Sequence, residues 1–431
     1  MLWYEEMKNN VTDIGALAPQ LGMDEKETKR MQALCEAFPM SVPRYYLSLI
    51  DWDNPNDPIR KMCIPTFFET DMSGAFDTSG EASNTVCEGV QHKYRESALI
   101  LTTNRCAMYC RHCFRKRLVG LSDEEIASHF DEVISYIRAH DEITNAILSG
   151  GDALMLPTKT VERYLDALSG IEHLDLIRIA TRMPVVYPMR IIEDQALLKA
   201  LARYTKRKQI YVVTQFNHPN EITPQARAAI RALLECGVVV KNQTVLLRGV
   251  NDSADTLGLL LRKLTANGIV PYYVFQCRPV SGVKNTFQVP FAQGYDIVER
   301  AKAMQNGQGK CLKFCMSHPA GKIEIAGKLD DGSIAFKFHQ TKEEVNEGRI
   351  FVKKLPPDAG WAKFSRNETE MGGQWPPKIT PVVLFRKRCK AGGIQLFKPG
   401  KETHKRRSNL FRTARAVAFN IERHQWIVQR K

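Results

Sequence analysis

Ala98-Leu-Ile-Leu-Thr-Thr-Asn-Arg-Cys106-Ala-Met-Tyr-Cys110-Arg-His-Cys113 decides how this chain folds and where its chemistry sits. It opens as a short apolar run of strand type, and Asn104-Arg105 then leads into a loop that places three thiols within eight residues. Three thiolates can hold three irons of a [4Fe–4S] cube and leave the fourth iron open to a non-protein ligand. A zinc knuckle or incidental cysteines are the other readings of this spacing. Zinc would want a fourth Cys or His, and His112 is at hand.

Working outward, the same apolar texture returns at residues 146–149, 176–181, 209–215, 237–241 and 270–276. Amphipathic segments lie between these runs. Residues 122–140 read as a helix, because Ser122 and Glu125 have capping-box spacing and Ile126, Phe130, Val133, Ile134 and Ile137 recur at helical period. Thr223-Pro224 reads as an N-cap followed by proline at the first helical position, and residues 24–38 as another amphipathic helix. Strands alternating with helices imply a parallel sheet with crossover helices, here a βα barrel or part of one. Its catalytic groups belong at the C-terminal ends of the strands. Asn104-Arg105-Cys106, Gly150-Gly151-Asp152, Phe216-Asn-His-Pro-Asn220 and Cys277-Arg278-Pro279 occupy those places.

Composition agrees with a folded protein. The 431 residues are 44% hydrophobic with 27 Gly and 21 Pro, which excludes a disordered or collagen-like chain. No stretch approaches the roughly 18 apolar residues of a membrane span, and the start lacks a signal-peptide pattern, so a cytoplasmic protein is expected. Eleven cysteines at irregular spacing point to metal binding or plain burial rather than a disulfide framework. Cys35, Cys63, Cys87, Cys236, Cys311 and Cys315 read as buried, while Cys277 borders a strand end. The net charge of +14 is concentrated: residues 384–431 hold 14 Lys/Arg against 2 Asp/Glu, leaving the rest near neutral at +2. A basic tail, not a basic body, is the reading, and a nucleic-acid partner is not expected.

The CxxxCxxC loop after the first barrel strand resembles the signature of the radical S-adenosylmethionine superfamily, and Ser149-Gly150-Gly151-Asp152 resembles its Gly-Gly-acid motif. The α/β fold implied is a partial parallel (βα)6 barrel (residues 96–330). An N-terminal helical and loop extension (1–95), a C-terminal extension (331–378) and the basic tail (379–431) flank it. More specific text surrounds the thiols: Asn54-Pro-Asn-Asp-Pro-Ile-Arg60, His92-Lys-Tyr-Arg95, Met108-Tyr-Cys-Arg-His-Cys113-Phe-Arg-Lys-Arg117, Leu148-Ser-Gly-Gly-Asp-Ala-Leu154, Arg182-Met-Pro-Val-Val186, Phe216-Asn-His-Pro-Asn-Glu221 and Asn242-Gln-Thr-Val-Leu-Leu-Arg-Gly-Val-Asn-Asp252. From about residue 20 to about residue 330 the chain is similar to the lysine 2,3-aminomutase family.

That resemblance implies three cofactors. A [4Fe–4S] cluster would be held by Cys106, Cys110 and Cys113. S-adenosylmethionine would chelate the open iron, with Gly150, Gly151, Asp152 and Gln243 beside it. Pyridoxal 5'-phosphate would form an internal aldimine with Lys322 in Pro319-Ala-Gly-Lys322-Ile-Glu-Ile325, where the family's longer glycine run is shortened. Lys93 and Tyr94 match a phosphate-binding arginine and a residue lying against the cofactor ring, whereas Ser97 stands where the family has another phosphate-contacting arginine. A flavodoxin or ferredoxin would supply one electron, and the resulting 5'-deoxyadenosyl radical would start migration of the amino group from C2 to C3. A homo-oligomer is expected by analogy. Only Cys389 follows residue 330, so the zinc cluster of some relatives is not expected.

The resemblance also addresses the substrate. Arg115 matches the arginine that pairs with the substrate's α-carboxylate. Lysine-specific members hold the distant ammonium with two aspartates, and this chain has Arg278 and Ser317 at those places. A cation there repels lysine and suits a carboxylate, the pattern of glutamate 2,3-aminomutases, so L-glutamate giving β-glutamate is expected. L-Lysine is the alternative substrate, and an iron–sulfur nucleic-acid-binding protein the distant non-enzymatic one. His218 reads as a capping group.

Overall fold

The computed structural model describes residues 3–362 and 364. The basic tail and most of residues 363–378 lie outside the described residues. Among the described residues twelve strands form one sheet in chain order: β1 (Thr85–Cys87), β2 (Val90–Tyr94), β3 (Ser97–Thr103), β4 (Asn145–Gly150), β5 (Leu176–Ala180), β6 (Gln209–Thr214), β7 (Val239–Leu246), β8 (Val270–Gln276), β9 (Lys313–His318), β10 (Gly321–Lys328), β11 (Ile334–Thr341) and β12 (Ile350–Lys353). The six expected strands are β3 to β8, all parallel, and β9 adds a seventh parallel strand. Antiparallel strands extend the sheet on both sides, so the N-terminal extension is not only helix and loop: β2 pairs with β3 and β1 with β2.

Residue alternation explains the layering. Ile100, Leu148, Ile177, Ile179, Val212, Val240 and Val274 are fully buried in the same apolar core as Leu165, Leu201, Ile230 and Leu261 of the crossover helices. Each such side chain contributes about 1.5–3 kcal/mol by leaving water. Their neighbours Leu99, Ile147, Arg178, Val213, Gln243 and Phe275 line a cavity on the other face. The sheet curls around that cavity, since Lys93 on β2 donates a hydrogen bond to the carbonyl of His318 at the end of β9 (2.5 Å).

Local signals mostly act as read. Asp24 caps the helix Glu25–Ala37 through a complete capping box with Glu27. Thr223 accepts a bond from the Ala226 N–H ahead of Pro224–Glu235. The expected helix over residues 122–140 is shorter, running only Phe130–Arg138. Ser122 closes a turn by accepting from Glu124 N–H, the Glu125 carboxylate is taken by Arg117, and Ala127 N–H bonds to Leu101 on β3. β7 is longer than its apolar run, because Asn242 clamps the Phe216 backbone with both ends of its amide and so keeps polar residues in the strand. Cys311 is exposed rather than buried, and Cys35, Cys87 and Cys236 are half-buried. Among the described residues no helix is long and apolar enough to cross a membrane.

Candidate active site

One cavity of about 400 Å³ gathers every site residue named from sequence: Cys106, Cys110 and Cys113 of the thiol loop; Gly150, Gly151, Asp152 and Gln243 at strand ends; and Lys93, Tyr94, Arg115, Arg278, Ser317 and Lys322. The thiol loop leaves β3 and is pinned by backbone bonds from Tyr109 to Ser41 and from Arg111 to Met62, which bring the N-terminal segments against it. Burial pushes the Cys113 thiol up to about 11 and raises Cys106 well above its usual range. These side chains therefore need a cation, such as the irons of a cluster, to become thiolates. Among the described residues no three metal-ligating side chains converge as a single ion requires, a condition that a cube with one thiolate per iron does not impose. His112 is buried and held at about 3 by that burial and by Arg182, so it is neutral, with Nε2 engaged by Gln215 and Asn217.

Behind the loop, glycine is required for steric reasons. Gly150 has φ +117, and a Cβ there would lie 2.2 Å from the Thr103 carbonyl; one on Gly151 would lie 2.3 Å from that of Arg105. Thus the ends of β3 and β4 touch, and no side chain fits between them. Asp152 is buried and spends its carboxylate on Leu154 N–H, Thr181 Oγ1 and Arg182 N–H, tying β4 to β5 at the cavity wall. Gln243 faces the cavity from β7.

Lys322 is the second residue of β10 and lies directly opposite Ser317 of β9 in the ladder. Its ammonium donates to Gln340 Oε1 (2.8 Å) and sits 4.5 Å from the centre of the Tyr273 ring. Burial brings its pKa down to about 8, so far more of the amine is neutral and nucleophilic near neutral pH than in an exposed lysine. Lys93 is brought to about 7, mainly by burial and also by Arg278, and bonds only the Ser79 and His318 carbonyls. Three polar atoms lining this part of the cavity are buried without a partner: Tyr94 Oη, Gln91 Nε2 and Arg178 Nε. Unspent donors of this kind suit a polar, anionic group such as pyridoxal phosphate.

The two arginines assigned to substrate differ. Arg115 is engaged, with Nε donating to Glu81 Oε1 (2.9 Å) and Nη1 to Ser149 Oγ and the Gly150 carbonyl. Arg278 lies with its guanidinium 4.1 Å from the centre of the Phe114 ring, and its Nη1 is buried without a partner. Burial holds Arg278 down at about 10, against the attraction of Glu81. Burial alone would raise Glu81, but Arg115, Arg278 and Arg117 outweigh it and hold the carboxyl at about 2.

Sequence reasoning gave no role to Glu81, Arg178 or Arg182. Glu81 lies in a stretch read as loop, where no periodicity marks a buried acid. Arg182 donates to Cys110 Sγ (2.8 Å) and to Glu221 Oε1 (2.6 Å), so a motif arginine supports the thiol loop. Arg178 carried a signal, being a charge inside the apolar run of β5. His218 is the capping group expected, accepting from Asn220 N–H.

Residues 100–260 match the family model described as "Radical SAM superfamily". A protein named "Putative L-lysine 2,3-aminomutase" from Aquifex aeolicus is 41% identical over 78% of this chain and 90% of its own length. The chain belongs to the lysine 2,3-aminomutase family of radical SAM enzymes. "L-lysine 2,3-aminomutase" from Clostridium subterminale is 36% identical over 74% of this chain and 76% of its own. "Glutamate 2,3-aminomutase" from Clostridioides difficile is 34% identical over 70% of this chain and 71% of its own. Membership makes this aminomutase an isomerase, and implies a [4Fe–4S] cluster, S-adenosylmethionine and pyridoxal phosphate.

Proposed function

We propose that this aminomutase moves the amino group of L-glutamate from C2 to C3, giving β-glutamate. The observation that carries the reading is Arg278: a half-buried cation on the cavity wall, whose Nη1 is buried without a hydrogen-bond partner. A buried guanidinium N–H without an acceptor is costly, and a substrate carboxylate accepting a charge-assisted bond relieves that cost. Lysine would instead bring an ammonium against it, which is repulsive in a poorly solvated site. Ser317 adds no negative charge to reverse that preference.

The lysine reading has support in the names of the relatives from Aquifex aeolicus and Clostridium subterminale. Whole-chain identity weighs the two pocket positions no more than any others, whereas the charge at those positions acts directly on the substrate's side chain.

In this reading Cys106, Cys110 and Cys113 hold the cluster, Gly150, Gly151 and Gln243 border S-adenosylmethionine, and Lys93, Tyr94 and Lys322 hold pyridoxal phosphate. Together with one electron from an external donor such as flavodoxin or ferredoxin, these groups supply hydrogen abstraction from the β-carbon and migration of nitrogen. The chain's own work is placement. Gln340 holds the Lys322 amine and Tyr273 packs against it, while Arg278 fixes the distal carboxylate. Arg115 serves the α-carboxylate by sharing its donors with Glu81. Apolar wall residues Leu99, Ile147, Val213, Val245 and Phe275 keep water from the reacting carbon. The test is product analysis of the anaerobically reduced, cofactor-loaded enzyme with glutamate and with lysine. β-Glutamate supports the reading, and β-lysine alone opposes it.

A further inference from the structure

Arg178 is a lone charge in the strand Leu-Ile-Arg-Ile-Ala, on the alternation face that lines the cavity. Its Nη2 donates to Asn145 Oδ1 and reaches Ser97 Oγ at 3.5 Å, and its Nε is buried without a partner. No carboxylate of the described residues forms an ion pair with it. Lys93 and Lys322, which line the same cavity, also bond only to neutral oxygens. Arg178 is close enough to Lys322 that its charge disfavours the charged form of the lysine. Three half-buried cations, none of them in an ion pair among the described residues, are sustainable where a multiply charged anion enters among them. A phosphate ester, carrying a charge of about −1.5 to −2, meets that demand.

Ser97 sharpens the point. The family resemblance places a phosphate-contacting arginine there, and serine carries no charge. Ser97 opens β3, Asn145 opens β4 directly beside it, and Arg178 of β5 crosses Asn145 to reach the same spot.

We propose that Arg178 binds the phosphate of pyridoxal phosphate, supplying from β5 the guanidinium that position 97 lacks. The proposal rests on the cofactor assignment above and adds a residue to it. Asn145 orients the guanidinium by accepting from Nη2, which leaves Nε and the remaining donors for phosphate oxygens.

The test is titration of the purified protein with pyridoxal phosphate and, separately, with pyridoxal, which lacks the phosphate. Visible absorbance follows both. Arg178→Gln should weaken pyridoxal phosphate by about tenfold or more, the scale of one charge-assisted bond, and change pyridoxal less than about twofold. The double variant Ser97→Arg, Arg178→Gln should recover most of that loss. Unchanged affinity in a folded Arg178→Gln, or equal loss for both ligands, overturns the proposal. So does a loss seen only in the Michaelis constant for the amino acid, which would make the substrate carboxylate the anion. If Arg178→Gln does not fold by circular dichroism, Arg178→Lys carries the measurement. It keeps the charge and loses the fork, so loss of about threefold or more confined to pyridoxal phosphate is expected, and unchanged affinity is contrary. A wild-type protein that binds neither ligand contradicts the cofactor assignment itself, an outcome distinct from failure at Arg178.

Discussion

Arg115 and Glu81 form a buried ion pair at 2.9 Å on the cavity wall, and the second carboxylate oxygen of Glu81 holds Arg117 at 2.8 Å. The arginine expected to meet the substrate's α-carboxylate thus already carries an anion. Glu81 is ion-paired with Arg115 and Arg117 and lies close enough to Arg278 to be stabilised by its charge as well.

Glu81→Gln should therefore destabilise the fold by about 3 kcal/mol, since removing one partner strands buried charge. Denaturant unfolding checks this. The pH dependence has a defined sign. Because the folded carboxyl titrates at about 2, below its unfolded value, its contribution is present above about pH 4.5 and is lost as pH falls toward 2. A stability that declines between about pH 7 and 5 through this residue would contradict the assignment.

Lys322→Ala should abolish borohydride fixation of pyridoxal phosphate, which peptide mass analysis should find on residue 322 in the wild type. The rate of attachment should rise with pH and level off above about 8, where the buried amine is neutral. A rate still climbing steeply near pH 10 would mean that the amine is not depressed.

Gly150→Ala places a methyl group 2.2 Å from the Thr103 carbonyl at a φ of +117. The variant should lose on the order of 3 kcal/mol or more of stability and take up less iron, because the ends of β3 and β4 support the thiol loop. Iron analysis beside a thermal melt reads both. Wild-type values for each would contradict the steric account.

Arg278→Asp should abolish glutamate turnover, as it puts an acid where the distal carboxylate binds. Arg278→Lys should retain activity with a Michaelis constant for glutamate about tenfold higher, since the charge remains and the planar fork is lost. Steady-state kinetics decide between these outcomes and an unchanged Michaelis constant.

The fold was legible because two signals coincided: apolar runs at regular spacing, and helix starts such as Asp24 and Thr223-Pro224 that act locally. The exceptions are equally physical. Ser122 and Glu125 have the letters of a capping box, yet Arg117, remote in the pattern, competes for the glutamate. Asn242 looks like a strand break until its amide is seen to clamp Phe216. At the site, cysteines and glycines announce themselves by spacing, because one loop holds them all. Glu81, Arg178 and Arg182 act through partners on other strands and loops, which a single sequence does not place. Arg178 offered a hint as a charge in an apolar strand, and Arg182 as the first residue of a family-like motif.

The most direct test of the glutamate assignment is incubation of the anaerobically reduced enzyme, supplied with S-adenosylmethionine and pyridoxal phosphate, with glutamate and lysine in parallel. Chromatography then separates α- from β-amino products. Accumulation of β-glutamate with little or no β-lysine is the expected result. Accumulation of β-lysine with glutamate unchanged would contradict the role given to Arg278.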